Sequence, residues 1–254
     1  MQTPHGWVEF RQIRQMFFYW NWSYFLYIAL PIMLLGFIAS SWVKRTYQRY
    51  SRVRNASGLS GVDVARRILT GAGLSDVTIQ VIDGELSDNY DPRTKTLNLS
   101  REVATGTSVA SEAVVAHEIG HAQQDRQGFF AMRLRSGLVP AANLGSQAGP
   151  LIVIAGLLLS AFTGSAIGFY VALAGLLLFA AVVAFQLITT PVELDASHRA
   201  LRLLAETGVI LPEEQEGARR MLRAAAFTYW VALFGALLTL LYYASLVFGN
   251  RRND

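Results

Sequence analysis

Three features of this 254-residue chain predict a multi-pass α-helical membrane protein with a small α+β domain and about four transmembrane helices. Hydrophobic residues make up 52% and the mean hydropathy is +0.32, above an ordinary soluble domain. The excess falls in uncharged blocks, each near the ~20 residues that a bilayer crossing needs, rather than being spread through a larger core. Between the blocks lies a polar stretch, residues 44–137, whose apolar residues recur at both helical and strand periods.

The elements follow in order. Residues 1–23 are an N-terminal segment in which Trp7, Phe10, Ile13 and Phe17 fall roughly on one helical face, away from Arg11 and Arg14. Two readings stand: an interfacial helix on the membrane surface, or an upstream extension with Met16 as the first native residue. Residues 24–43 are the first span, flanked by Trp20, Trp22 and Tyr24 at its start and by Trp42, Lys44 and Arg45 at its end, an aromatic belt and a basic anchor. The basic residues follow the apolar run and no small-residue cleavage site appears, so an uncleaved anchor is preferred to a signal peptide.

In the polar stretch, Gly61 to Leu69 reads as an amphipathic helix ended by Gly71 and Gly73. Val77–Ile82 and Lys95–Ser100 alternate as strands, joined through Gly84 and a Tyr90-Asp91-Pro92 turn, and a small antiparallel sheet is expected. Residues 138–188 are uncharged, long enough for two spans (138–162 and 166–188) with a break near Thr163-Gly164-Ser165. Gly145, Gly149, Gly156, Gly168 and Gly175 suggest close helix packing there. A second polar segment, 189–225, precedes the last span, 227–248, and a tail, 249–254. Pro191 can open a helix in that segment.

The chemistry concentrates at His117-Glu118-Ile119-Gly120-His121, which holds two of the chain's four histidines. On a helix, positions four apart share a face, so both imidazoles can converge on one metal ion. Glu118, one step round, is placed as a general base for a water activated by that ion rather than as a ligand. Thr107 and Ser108 are the available helix caps. The chain has no cysteine, so only histidine and carboxylate remain as strong ligands. A catalytic zinc site needs a third protein ligand and one open position. Acidic residues on a following helix are the candidates, with Glu193 and Asp195 in the first turns after Pro191, and His198 is the rival.

At this point the chain resembles the YugP-type membrane zinc metallopeptidases, a gluzincin-like family of bacterial enzymes. The resemblance rests on Tyr90-Asp91-Pro92 leading to Leu97-Asn98-Leu99-Ser100, the Ala116-to-Gln124 helix, Leu138-Val139-Pro140, and Pro191-Val192-Glu193-Leu194-Asp195-Ala196-Ser197. It covers nearly everything from the first span to the last. It implies a zincin-like catalytic domain in a bacterial cell membrane and one Zn2+ ion held by His117, His121 and Glu193, with Glu118 catalytic. Related integral-membrane zincins carry an aspartate four residues after the ligand glutamate, where this chain has Ser197. The hydrogen bond that orients a ligand histidine therefore falls to Asp195 or Ser197.

Topology offers an independent check. His117 and Glu193 can meet only across an even number of spans, and the reading gives two. Outside the spans, 18 Lys and Arg lie on the side of the motif and four (Arg11, Arg14, Arg251 and Arg252) on the other, which predicts a cytoplasmic catalytic domain. The reading is a zinc-dependent metalloendopeptidase of protein or peptide substrates, with a role in membrane-protein quality control. The alternative is an inactive membrane scaffold or adaptor with a structural zinc closed by His198 or Asp195. The spans carry neither charge nor histidine, which argues strongly against a metal transporter. The scattered basic residues lack interleaved aromatics, which argues against nucleic acid. Tyr90, His198 and Arg199 are the candidate oxyanion donors, and Lys95–Ser100 reads equally as a sheet edge for an extended substrate or as an interior strand. Oligomeric state is not legible.

Overall fold

The structure, a computed structural model, describes residues 22–249. The expected N-terminal interfacial helix and the outer basic pairs lie outside the described residues. Among the described residues, four helices are long and apolar enough to cross a membrane: Trp22–Tyr50, Phe130–Thr163, Ala166–Glu206 and Pro212–Gly249. Each contains one of the spans expected from sequence, and each runs past it into the polar domain.

The first span begins as a wide π-helical turn, Phe25–Ala29, and continues as α1 (Leu30–Tyr50). The wide turn lies directly before Pro31, whose ring cannot sit beneath an ordinary i→i−4 bond. Helix α2 (Gly61–Gly71) is capped by Ser60, whose hydroxyl accepts from the Asp63 N–H, and it buries Val64, Ala65, Ile68 and Leu69. Strands β1 (Thr78–Ile82), β2 (Asn89–Asp91) and β3 (Thr96–Ser100) form one sheet in the order β1-β3-β2.

That order corrects two expectations. The sheet is mixed: β1 runs parallel to β3, and only β2 is antiparallel to it. The residues read as a turn at Tyr90-Asp91 are themselves a strand, which folds back on β3 as a hairpin and leaves the far side of β3 to β1. Lys95–Ser100 is therefore the centre of the sheet, and β2 is an edge.

A short helix, α3 (Arg101–Thr105), leads to α4 (Val109–Arg126), which carries the motif. Its start is as expected: the Ser108 hydroxyl accepts from the Ser111 N–H. Val115, Ala116, Ile119 and Ala122 are buried, so α4 is the central rod of the polar domain. Helix α5 (Phe130–Thr163) and helix α6 (Ala166–Glu206) form an antiparallel hairpin at the expected break, where Gly164, with a φ of 63°, makes a left-handed cap. The last helix is α7 (Pro212–Gly249).

Pro191 does not open a new helix. It lies inside α6, which runs unbroken for 41 residues from the membrane hairpin into the polar domain. Val192, Glu193, Ala196 and Ala200 bury there against the domain core, and this packing outweighs the one backbone bond that proline removes. Helix α4 meets this part of α6 at Gly120, where an added Cβ would stand 2.5 Å from the Ala196 carbonyl oxygen. Only glycine lets these two backbones meet.

Candidate metal centre

The crossing of α4 and α6 sets the site. His117 and His121 project from one face of α4, and Glu193 projects from α6 one turn before the Gly120 contact. Glu193 Oε2 lies 3.3 Å from His117 Nε2 and 3.4 Å from His121 Nε2. All three candidate ligand atoms lie within 4.8 Å of one another. Ligand atoms about 2.1 Å from one zinc ion stand roughly 3.4 Å apart at a tetrahedral angle. The two distances to Glu193 match that spacing, so the residues fit the ion.

The hydrogen bonds behind the imidazoles fit it too. Gln124 Nε2 donates to the Val192 carbonyl oxygen and to Asp195 Oδ2, both at 2.8 Å. Its Oε1 is thereby left to accept, and it lies 3.0 Å from His121 Nδ1. That arrangement requires the His121 proton on Nδ1 and turns the Nε2 lone pair towards Glu193. Ser197 Oγ sits 3.3 Å from His117 Nδ1 and can hold the second imidazole in the same way. Of the two candidates, Ser197 contacts His117 directly, and Asp195 reaches His121 only through Gln124.

The electrostatics favour a cation. Burial alone would lower the His121 pKa, but the facing carboxylates of Glu193 and Glu118 raise it overall. Two carboxylates around two imidazoles make a pocket that prefers positive charge. Glu118 lies beside the cluster, and its Oε2 accepts from the Tyr90 backbone N–H at 3.1 Å. Burial pushes its carboxyl above the ordinary range, against the lowering effect of the histidines. A proton taken up there is held more readily than on an exposed glutamate.

A cavity of about 300 Å³ opens onto these groups. Its walls include Asn89 and Tyr90 of the sheet edge, Met132 and Arg135 of α5, and Tyr229 of α7. Of these, Arg135 and Tyr229 reach Glu193 and were not singled out by sequence. Arg135 Nη1 lies 2.9 Å from Glu193 Oε1, the oxygen turned away from the histidines. Tyr229 comes from a third helix, with its hydroxyl towards the same carboxylate. Gln124 was also missed, although its place three residues after His121 on the same face was a usable signal.

Other candidates fall elsewhere. His198 is exposed and does not line the cavity. Arg199 is engaged by Asp195, Gln123 and Gln127. The Tyr90 hydroxyl donates to Asp125 at 2.9 Å, so that residue reaches the site through its backbone.

Two comparisons with known proteins find relatives across most of the chain. The profile of a family described as "Putative neutral zinc metallopeptidase" matches residues 25–248. A curated relative, "Putative membrane protease YugP" of Bacillus subtilis (strain 168), is 37% identical over 230 residues, covering 91% of this chain and 99% of that protein. No solved structure gives a significant match.

Proposed function

The chain belongs to this family of neutral zinc metallopeptidases, and from that premise we propose a membrane-embedded zinc endopeptidase in which Glu118 is the general base. The observation that carries the reading is the triangle of His117 Nε2, His121 Nε2 and Glu193 Oε2 with the Glu118 carboxylate beside it. Zinc held by those three atoms would supply a Lewis acid for the scissile carbonyl and make a water acidic enough to react near neutral pH.

The chain's own groups do the rest. Glu118 takes a proton from the attacking water and returns it to the leaving amine, while the Tyr90 N–H keeps its carboxylate in place. Tyr229 and Arg135 offer donors to the carbonyl oxygen from the cavity wall, the role expected of Tyr90, His198 or Arg199. The β2 edge, rather than β3, is the strand along which an extended peptide adds. The 18 basic residues on the side of the motif support a cytoplasmic active site, close to the membrane, suited to quality control of membrane proteins. A structural zinc is the weaker reading, because such sites close with four protein ligands and the cluster among the described residues has three.

The test compares purified wild type with Glu118→Gln. Both should carry the same zinc, and the variant should lose casein cleavage or self-cleavage by about 10²–10⁴-fold. Equal zinc with no cleavage by either protein supports the scaffold.

A further inference from the structure

Outside the metal centre, α1 and α7 leave a notch of about 490 Å³ lined by Arg45, Arg49, Arg220 and Arg223 with Glu216. We propose that this notch binds the phosphate of an anionic phospholipid headgroup.

Spacing builds the notch from two helices. Arg45 and Arg49 are four apart on α1, and Glu216, Arg220 and Arg223 recur at four and three on α7, so each set shares a face. The helices are held close beside it: a Cβ at Gly217 would meet the Tyr50 ring at 2.8 Å. The cationic faces therefore stay opposite each other.

Charge argues for a ligand. Glu216, the one carboxylate among the described residues lining the notch, lies 2.8 Å from Arg220. Among the described residues, no ion pair engages Arg45, Arg49 or Arg223. Like charges facing across a cleft repel, and an anion between them removes that cost. Topology alone asks for basic residues near the span's end, not for a cleft lined by them. Guanidinium forks also suit phosphate oxygens, which accept paired hydrogen bonds.

Position selects a lipid over a free anion. Trp42 lines the same notch and packs on Phe227 of α7, with ring centroids 5.4 Å apart. Trp42 ends the apolar run of the first span, so this aromatic pair marks the interface and the arginines begin one turn beyond it, at headgroup depth. Basic pockets between spanning helices are where acidic headgroups bind. The proposal is independent of the peptidase reading.

The test is thermal unfolding of the full chain in a neutral detergent. The additives are dioctanoyl phosphatidylglycerol, dioctanoyl phosphatidylcholine and inorganic phosphate. Phosphatidylglycerol should raise Tm saturably, by about 5 °C at 100 times its Kd, with shifts under about 1 °C for the other two. The triple variant Arg45→Gln/Arg49→Gln/Arg223→Gln should lose the shift. Arg66→Gln/Arg93→Gln/Arg101→Gln, which removes the same charge from exposed positions elsewhere, should keep it. If the first triple variant does not fold, Arg49→Gln alone should at least halve the shift. An equal shift with inorganic phosphate would mean a free-anion site and overturn the lipid assignment. So would an equal shift with phosphatidylcholine, an unchanged shift in the notch variants, or its loss in the control triple.

Discussion

Along its first half, α6 meets α5 through Gly168 and Gly175, where an added Cβ would run into the backbones of Ser160 and Val153. The side chains buried around that contact are apolar: Val153, Ala172, Leu176 and Phe179. Along its second half the same helix meets α4 through Gly120, and there the buried groups include Glu193, Ser197, His121 and Gln124. Both contacts depend on a missing Cβ, but for different ends. Lipid offers no hydrophobic drive between helices, so the membrane half is held by close fit alone. In the polar half, close fit brings hydrogen-bonding groups within reach, and the result is a site.

The sharpest way to break this comparison is to add one methyl group at each contact. Gly120→Ala pushes on the Ala196 carbonyl, next to Ser197 and one turn from Glu193, and should weaken zinc binding by about 100-fold or more, since loss of an orienting partner alone costs up to that. Gly168→Ala should cost about 1–3 kcal/mol of stability by overpacking and leave zinc affinity unchanged. Zinc titration and thermal unfolding of both variants separate the two effects. Equal loss of zinc in both would mean that the halves of α6 are one mechanical unit.

A second contrast concerns buried charge in the polar domain. Glu112, in the first turn of α4, is fully buried; Ser57 donates to its Oε1 and its Oε2 has no partner in the described structure. Burial pushes its pKa from 4.5 up to about 7, against the lowering effect of Ser57. A raised carboxyl pKa stabilises the fold fully below the unfolded value, and that contribution is lost as pH rises through the folded one. This group should therefore cost the wild type about 3 kcal/mol between pH 4.5 and 7, and Glu112→Gln should remove that part of the slope. Denaturant unfolding of both proteins at pH 5 and pH 8 checks it.

Smaller effects grade the hydrogen bonds behind the imidazoles. Gln124→Ala removes both the acceptor for His121 and the link to Asp195, and should weaken zinc binding by about 10–100-fold. Ser197→Ala removes one longer contact and should cost about tenfold or less. Competition with a chelator of known affinity measures both, and the reverse ranking would reassign the stronger support to His117.

Much of this was legible because it is local. The spacing of His117 and His121, the Ser108 cap and the four apolar blocks each follow from one period or one turn, and counting spans placed Glu193 on the right side. What escaped was set by contacts between distant segments. The parallel pairing of β1 with β3 leaves no trace in strand alternation. Pro191 obeys a local rule that burial of α6 overrides. Arg135 and Tyr229 reach the cavity from two further helices, and no sequence spacing announces that convergence. Nothing local marks Glu112 as buried, and only the fold reveals it so.

Zinc stoichiometry of the purified chain tests the central claim most directly. Elemental analysis should give one zinc per wild-type chain and one per Glu118→Gln chain. Glu193→Gln, folded by its unfolding profile, should hold far less after the same dialysis. Full zinc in the Glu193→Gln protein would contradict the account.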